Sequence, residues 1–292
     1  MQIMSSALFS QRYPAKSKAF YELVSAQVAR ALAEDIGTGD LTAMLIASES
    51  ISNATIISRE SAIICGIDWA NACFHQLDIN TRIQWHVAEG DEISKNQVLC
   101  EIQGNTRALL TAERSALNFL QTLSAIATHT RQYVDAIAGT KAQILDTRKT
   151  LPGLRMAQKY AVTIGGGYNQ RLALYDGILI KENHIASAGS IHVALERARN
   201  LNTGISIQIE VEYLDELQQA LDAGATSILL DNFSLEDMRE AVRITHGKAL
   251  LEASGNVSLE TVRAIAETGV DRISIGALTK NIRAIDLSLR IT

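Results

Sequence analysis

The chain has 292 residues, of which 47% are hydrophobic and 20% charged, and its formal net charge is −5. It can bury a substantial core and is longer than one domain usually grows, so two domains are expected. The acidic balance excludes general nucleic-acid binding, which needs a basic face, but leaves open an anionic small molecule held by a local cluster of Arg and Lys.

In chain order, Met1–Phe20 carries several polar and basic residues and no apolar core of signal-peptide length. No stretch anywhere reaches the ~18 uninterrupted apolar residues of a membrane span, so a cytoplasmic protein with no membrane partner is expected. Residues 20–35 read as a helix that ends where the glycines of Ile36-Gly-Thr-Gly-Asp40 break the pattern. Strand-like runs follow at 54–59 and 98–102. The stretch 88–104 resembles half of a biotinyl or lipoyl carrier domain, but Lys95 lacks the flanking motif of a modified lysine, so a structural β element is the better reading. Cys65, Cys73 and Cys100 form no CxxC pair and sit among apolar neighbours, as reduced buried thiols do.

Residues 112–138 are the strongest helix, with Phe119, Leu123, Ile126, Thr130, Tyr133 and Ile137 on one mostly apolar stripe. Beyond it short apolar runs at 143–146, 177–180, 205–210, 227–231, 249–252 and 272–276 alternate with helical segments such as 190–200, 214–223, 234–245 and 258–267. This is the pattern of an α/β fold with a parallel sheet and helices outside it. Six to seven repeats fall short of the eight of a complete barrel, so an open, incomplete α/β barrel is expected.

Residues that follow such strands meet at one rim. Here they are Asp146-Thr-Arg-Lys-Thr150, Lys181-Glu-Asn-His184, Glu210-Val-Glu212, Asp231-Asn232, Glu252-Ala-Ser-Gly-Asn256 and Ser274-Ile-Gly-Ala277. Arg148, Lys149, Arg171 and Lys181 form a basic cluster suited to carboxylates or phosphates. Glu210 and Asp231, at neighbouring strand ends, suit a hard divalent cation or a developing positive charge. Ser254, Gly255, Asn256, Gly276 and Ala277 are small residues before helices, where backbone N–H groups can hold phosphate. A substrate with several negative charges, at least one of them a phosphate, fits this inventory.

These stretches, with Asp146-Thr-Arg-Lys-Thr-Leu-Pro-Gly-Leu-Arg155, Gly165-Gly-Gly-Tyr-Asn-Gln-Arg-Leu172 and Asp231-Asn-Phe233, resemble the quinolinate phosphoribosyltransferase family. The likeness extends to Glu34-Asp-Ile-Gly37, Gly39-Asp-Leu-Thr42 and Glu113-Arg-Ser-Ala-Leu-Asn118, across essentially the whole chain. It implies an N-terminal α/β sandwich domain over 1–122 that forms a homodimer. It also implies a catalytic open barrel over 123–292, with the final residues free to return to the first domain. The implied reaction joins quinolinate to phosphoribosyl pyrophosphate, with Mg²⁺, giving nicotinate mononucleotide, pyrophosphate and CO₂.

Carried over by motif, Arg114, Thr147, Arg148, Lys149, Arg171 and Lys181 would bind dicarboxylate and phosphates, Arg114 arriving from the partner subunit. Glu210 and Asp231 would face the ribose and the metal, and with Lys149 and Lys181 would make the catalytic set. Ser254, Gly255, Asn256, Gly276 and Ala277 would hold phosphate. His184 has two open roles, proton donor or structural hydrogen bonding. One departure stands out: the family pattern Gly-Gly-Gly-x-Asn-His-Arg has Gln170 at its histidine, a side chain that hydrogen-bonds but never carries charge. A related phosphoribosyltransferase, or a molybdenum-locus paralogue with another substrate, is the alternative; the Thr-Arg-Lys-Thr run and Arg114 favour the dicarboxylate.

Overall fold

The computed structural model describes residues 7–291. Residues 1–6 and Thr292, the start of the Met1–Phe20 stretch and the outer ends of the two expected domains, lie outside the described residues. No helix among the described residues is long and apolar enough to cross a membrane.

The elements begin with α1 (Ala7–Arg12), α2 (Lys18–Ile36), β1 (Ile51–Ser58), β2 (Ala62–Ile63), α3 (Ile67–Leu77), β3 (Arg82–Trp85), β4 (Glu92–Ile93), β5 (Val98–Asn105) and α4 (Thr106–Ala136). There follow β6 (Gln143–Leu145), α5 (Arg155–Ile164), β7 (Ile178–Ile180), α6 (Glu182–Ala188), α7 (Ile191–Asn200), β8 (Ile207–Val211) and α8 (Leu214–Asp222). The last are β9 (Ser227–Asp231), α9 (Leu235–Thr245), β10 (Leu250–Ser254), α10 (Val262–Ala266), β11 (Arg272–Ser274), α11 (Ala277–Lys280) and β12 (Leu287–Ile291). Contacts divide them between two compact units, one built mainly from Gln132–Thr150 and Gly167–Leu278, the other from Phe9–Arg131, Leu151–Gly166 and Thr279–Thr292.

The second of these units holds an antiparallel sheet of order β12-β1-β5-β3 and the small pair β2-β4. The C-terminal strand thus returns to pair with β1, Ala54 opposite Ile291. Helix α2 starts where the Ser17 hydroxyl accepts from Phe20 N–H and stops at Gly37, whose φ of 52° suits glycine. Helix α3 is capped from outside its own segment, because the buried Glu89 carboxylate accepts from Gly66 N–H at 2.7 Å and Ile67 N–H at 3.0 Å. Phe9, Phe20, Trp69 and Tyr160 make an aromatic cluster with centroids 5.2 to 5.7 Å apart. Helix α4 starts six residues before the apolar stripe implied, at Thr106. Lys95 is exposed in the turn between β4 and β5.

The first unit holds a parallel sheet of order β6-β11-β10-β9-β8-β7 with helices between successive strands from β7 onward. β6 and β7 do not pair, so the sheet is open. Beside β6 the gap is partly taken by the segment after the glycine run: Tyr168 N–H donates to Ile144 O at 2.8 Å and Asp146 N–H to Tyr168 O at 3.1 Å.

The register sorts the strands' two faces. Ile144, Ile273, Ala253, Leu230 and Val211 fall on one rung and are all buried and apolar. One residue earlier, Gln143, Arg272, Glu252, Leu229 and Glu210 make a rung that is mostly polar. Each strand therefore alternates, aliphatic on one side and polar on the side lining the interior. Helix α10 is shorter than the 258–267 period implies, because Ser258 and Thr261 close a turn through their own side chains, Ser258 N–H donating to Thr261 Oγ1 at 2.9 Å.

Gly165 sits where α5 ends against α4, and its φ of −69° is open to any residue. The constraint is space: a Cβ there would meet the Ala127 carbonyl and lie 2.6 Å from Thr130 Cβ. Gly165→Ala should therefore destabilise this unit by roughly 1–3 kcal/mol, as overpacking does, seen as a lower midpoint in denaturant unfolding. An unchanged midpoint would show that the helices separate freely.

Candidate active site

The strand ends place most of the expected residues on one rim of the parallel sheet. At the end of β8 Glu210 is buried, and both its carboxylate oxygens accept from Lys181 Nζ, at 2.9 and 2.7 Å. Lys181 is the N-cap of α6, and its backbone N–H donates to His184 Nδ1 at 3.1 Å. The histidine thus caps the helix through Nδ1.

The loops after β9 and β10 lock together. Asn232 has φ 56° and Asn256 φ 48°, and Asn232 N–H donates to Ser254 O at 2.9 Å. Between them Gly255 has φ 105°, and a Cβ there would run into the Asn232 side-chain oxygen and lie 2.7 Å from its Cγ. Only glycine fits, on both counts. Asn256 is followed by a turn and not by a helix, since α10 begins only at Val262. The expected helix N-terminus at Ser254-Gly255-Asn256 is absent, because the Ser258–Thr261 side-chain turn displaces it. Gly276 and Ala277 do precede a helix, but α11 is a single turn of four residues. Close approach is what Gly276 allows: a Cβ there would lie 2.9 Å from Lys149 Cδ and 3.6 Å from Thr147 Oγ1.

Glu252 does not belong to the rim. It lies within β10, 1% exposed, and faces the interior, so its place in the row of strand-end residues is corrected. The reason is strand length: β10 runs on to Ser254, two residues past the apolar run that marks it in the sequence. Around it, Gln143, Ser227, Gln208 and Arg272 line an interior cavity of about 50 Å³. Burial pushes the Glu252 carboxyl above its ordinary pKa; hydrogen bonding by Gln208 and Ser274 and the charge of Arg272 pull it down, and Asp146 pushes it up.

Asp146, fully buried, organises the glycine-run segment. It accepts from Asn169 Nδ2 at 2.7 Å and from Gln170 N–H at 3.0 Å. Gln170 Nε2 donates to Gln208 Oε1 at 2.9 Å, and Gln208 Nε2 to Glu252 Oε2 at 2.9 Å. The next residue, Arg171, donates to Gly177 O at 3.1 Å. Burial lowers its pKa, the nearby Arg148 lowers it further, and Asp176 opposes both.

Among the described residues no group of three or more His, Cys, Asp or Glu could hold a metal. Glu210 and Asp231 lie on adjacent strands, and both Glu210 oxygens accept from Lys181. Arg114 belongs to the other unit, exposed in a groove of about 500 Å³ lined also by Arg30, Glu34, Asp35 and Asn118. Cys65, Cys73 and Cys100 are buried free thiols, as expected.

Asp146, Asn169, Gln208 and Glu252 had no role assigned from sequence. The signal was present in the strict alternation Ile207-Gln-Ile-Glu210 and Leu251-Glu-Ala-Ser254, which puts polar groups on one face.

The fold is that of an open α/β barrel enzyme, with Lys181 closed on Glu210 and Arg148 near Arg171. Comparison with known proteins makes the class specific. Residues 40–124 match the model of the quinolinate phosphoribosyl transferase N-terminal domain, and residues 126–290 that of its C-terminal domain. The chain is 43% identical over 260 residues to the probable nicotinate-nucleotide pyrophosphorylase [carboxylating] of Bacillus subtilis, covering 89% of this chain and 90% of that one. It is 41% identical to the corresponding protein of Mycobacterium leprae, covering 90% and 95%. The solved nicotinate-nucleotide pyrophosphorylase of Francisella tularensis superposes with a TM-score of 0.90 at 49% identity, covering 93% of this chain and 97% of that one. The chain belongs to the quinolinate phosphoribosyltransferase family.

Because its pKa is raised, Glu252 keeps its proton in the native state over a range where the unfolded chain has lost it. Its contribution to stability therefore falls as pH rises from the ordinary glutamate pKa through the raised one. Glu252→Gln removes that dependence. The melting temperature of the variant relative to the parent should climb as pH rises above about 4, the ordinary glutamate range; a pH-independent difference would contradict the upward shift.

Proposed function

We propose that this enzyme transfers the phosphoribosyl group of phosphoribosyl pyrophosphate to quinolinate with loss of CO₂, in NAD biosynthesis. The observation that carries the reading is the nearness of Arg148 to Arg171, whose pKa its charge lowers, on a barrel where Lys181 also holds both oxygens of Glu210. A pyridine dicarboxylate matches two planar, bidentate cations. The alternative substrate nicotinate has one carboxylate and would use one.

Breaking the bond from ribose C1 to pyrophosphate develops positive charge on the sugar and negative charge on the leaving group. Glu210 and Asp231, on adjacent strands, would favour the first, and Lys149 and Lys181 the second, with Thr147, Ser254, Gly255, Asn256, Gly276 and Ala277 placed around the phosphates. Mg²⁺ bound through the pyrophosphate and these carboxylates would supply further charge neutralisation. The pyridine nitrogen attacks C1. Its positive charge then stabilises the ring carbanion left when the adjacent carboxylate departs as CO₂, and protonation of that carbon completes nicotinate mononucleotide. No covalent nucleophile is required; the protein's work is positioning.

The same reading makes the active form a homodimer in which Arg114 completes the partner's site. An exposed arginine in a groove that also holds Arg30 is in keeping with that role. The reduced, buried thiols accord with a cytoplasmic location.

The purified enzyme with phosphoribosyl pyrophosphate and Mg²⁺ should release CO₂ and form nicotinate mononucleotide from quinolinate, with little turnover of nicotinate. Preference for nicotinate would reject the assignment. Arg148→Ala should lower kcat/KM for quinolinate by about a hundredfold or more, since removing one partner of a buried charge pair costs on the order of 3 kcal/mol. Arg114→Ala and Lys149→Ala should each be inactive alone. An equal mixture, after subunit exchange, should regain roughly a quarter of the parental activity, because only mixed dimers contain an intact site. No regain would show that each subunit completes its own site.

A further inference from the structure

A barrel of parallel strands is usually filled by branched aliphatic side chains. Here the interior carries Glu252, Arg272 and Gln208, and the hydrogen bonds between them have a direction. Gln208 is 6% exposed and lies two residues before Glu210 on the same face of β8. Arg272 lies in register with Glu252 on β11. Gln208 turns its nitrogen to Glu252 Oε2 at 2.9 Å. Its oxygen is then left for Gln170, which presents its own nitrogen, at 2.9 Å. The buried carboxyl group on β10 is thus linked through Gln208 to the orientation of an amide next to Arg171. The backbone of the same residue is pinned separately, by Asp146 at 3.0 Å.

We propose that Gln208 is a positioning residue that transmits the orientation of Glu252 to Gln170, so that an uncharged amide at position 170 makes a defined contact to the dicarboxylate substrate. The inference rests on the reading that the Gln170-Arg171 segment faces quinolinate. It assigns a function to the departure at Gln170: the amide needs no protonation, because an internal hydrogen-bond chain aims it.

The test compares Gln208→Met, Gln170→Met and the double variant of the full-length enzyme, measuring kcat and the KM of each substrate. Methionine keeps the length and volume of glutamine and deletes both hydrogen bonds. Each single variant should raise the KM for quinolinate about tenfold, which is about 1.4 kcal/mol, with kcat and the KM for phosphoribosyl pyrophosphate changed by less than about twofold. The double variant should be no worse than either single one, as expected for links in one chain. Multiplying effects, or equal damage to the KM of both substrates, would overturn the positioning role. If Gln208→Met fails to fold, Gln208→Asn serves: it retains both polar groups but is one methylene too short to span Glu252 and Gln170. A folded Asn variant with the parental quinolinate KM would equally overturn the proposal. Parental KM in Gln170→Met would instead refute the placement of that segment against quinolinate. Absence of quinolinate turnover by the parent would refute the functional reading itself.

Discussion

The structure turns on a polar barrel interior. Once Glu252, Gln208 and Asp146 face inward, away from water, their hydrogen bonds have to come from neighbouring protein groups, because an unsatisfied buried polar group costs on the order of 1–3 kcal/mol. That requirement fixes more than the interior. Asp146 holds the backbone of Gln170 and the side chain of Asn169, and Glu252 holds Gln208, which holds Gln170. The segment after the glycine run is thereby tied to strands on both sides of the opening and carries Arg171 with it.

The rim above is organised by opposed charges. Lys181 closes on both oxygens of Glu210, while Arg148 and Arg171 are held near one another against repulsion. The first pair is internally compensated. An enzyme whose reaction separates a cationic sugar from an anionic leaving group has use for both arrangements within one mouth. The glycines serve the same end sterically: Gly255 admits the Asn232 side chain and Gly276 admits Lys149, each where a Cβ would intrude.

Much of this was legible in the residues. The alternation of short apolar runs with helical segments announced a parallel sheet, and the shortfall from eight repeats announced that it is open. Helix ends at Gly37 and near Ser190 and Ser234 followed local capping rules. The basic cluster and the two acidic strand ends were recognisable because residues after parallel strands share a rim whatever the connections between them. Boundaries drifted where side chains intervened, as at Ser258 and Thr261, which turn the chain and shorten α10. Glu252 was misplaced for a related reason: apolar runs show where a strand is buried, not where its hydrogen bonding stops.

Composition, periodicity and motif order by themselves determined the class of fold and the family. These depend on residue type and on spacing along one chain, and both are local. Tertiary structure alone decided which polar groups meet. The pairing of Gln208 with Glu252 joins residues 44 apart, and that of Gln170 with Gln208 joins residues 38 apart. Both depend on strand order and register, with β6 lying beside β11 and not beside β7. The cap of α6 by His184 and the turn of Ser258 with Thr261 are local, each joining residues three apart. The cap of α3 by Glu89 was settled by the fold, because its backbone donors took a partner more than twenty residues away and not one that sequence proximity offered.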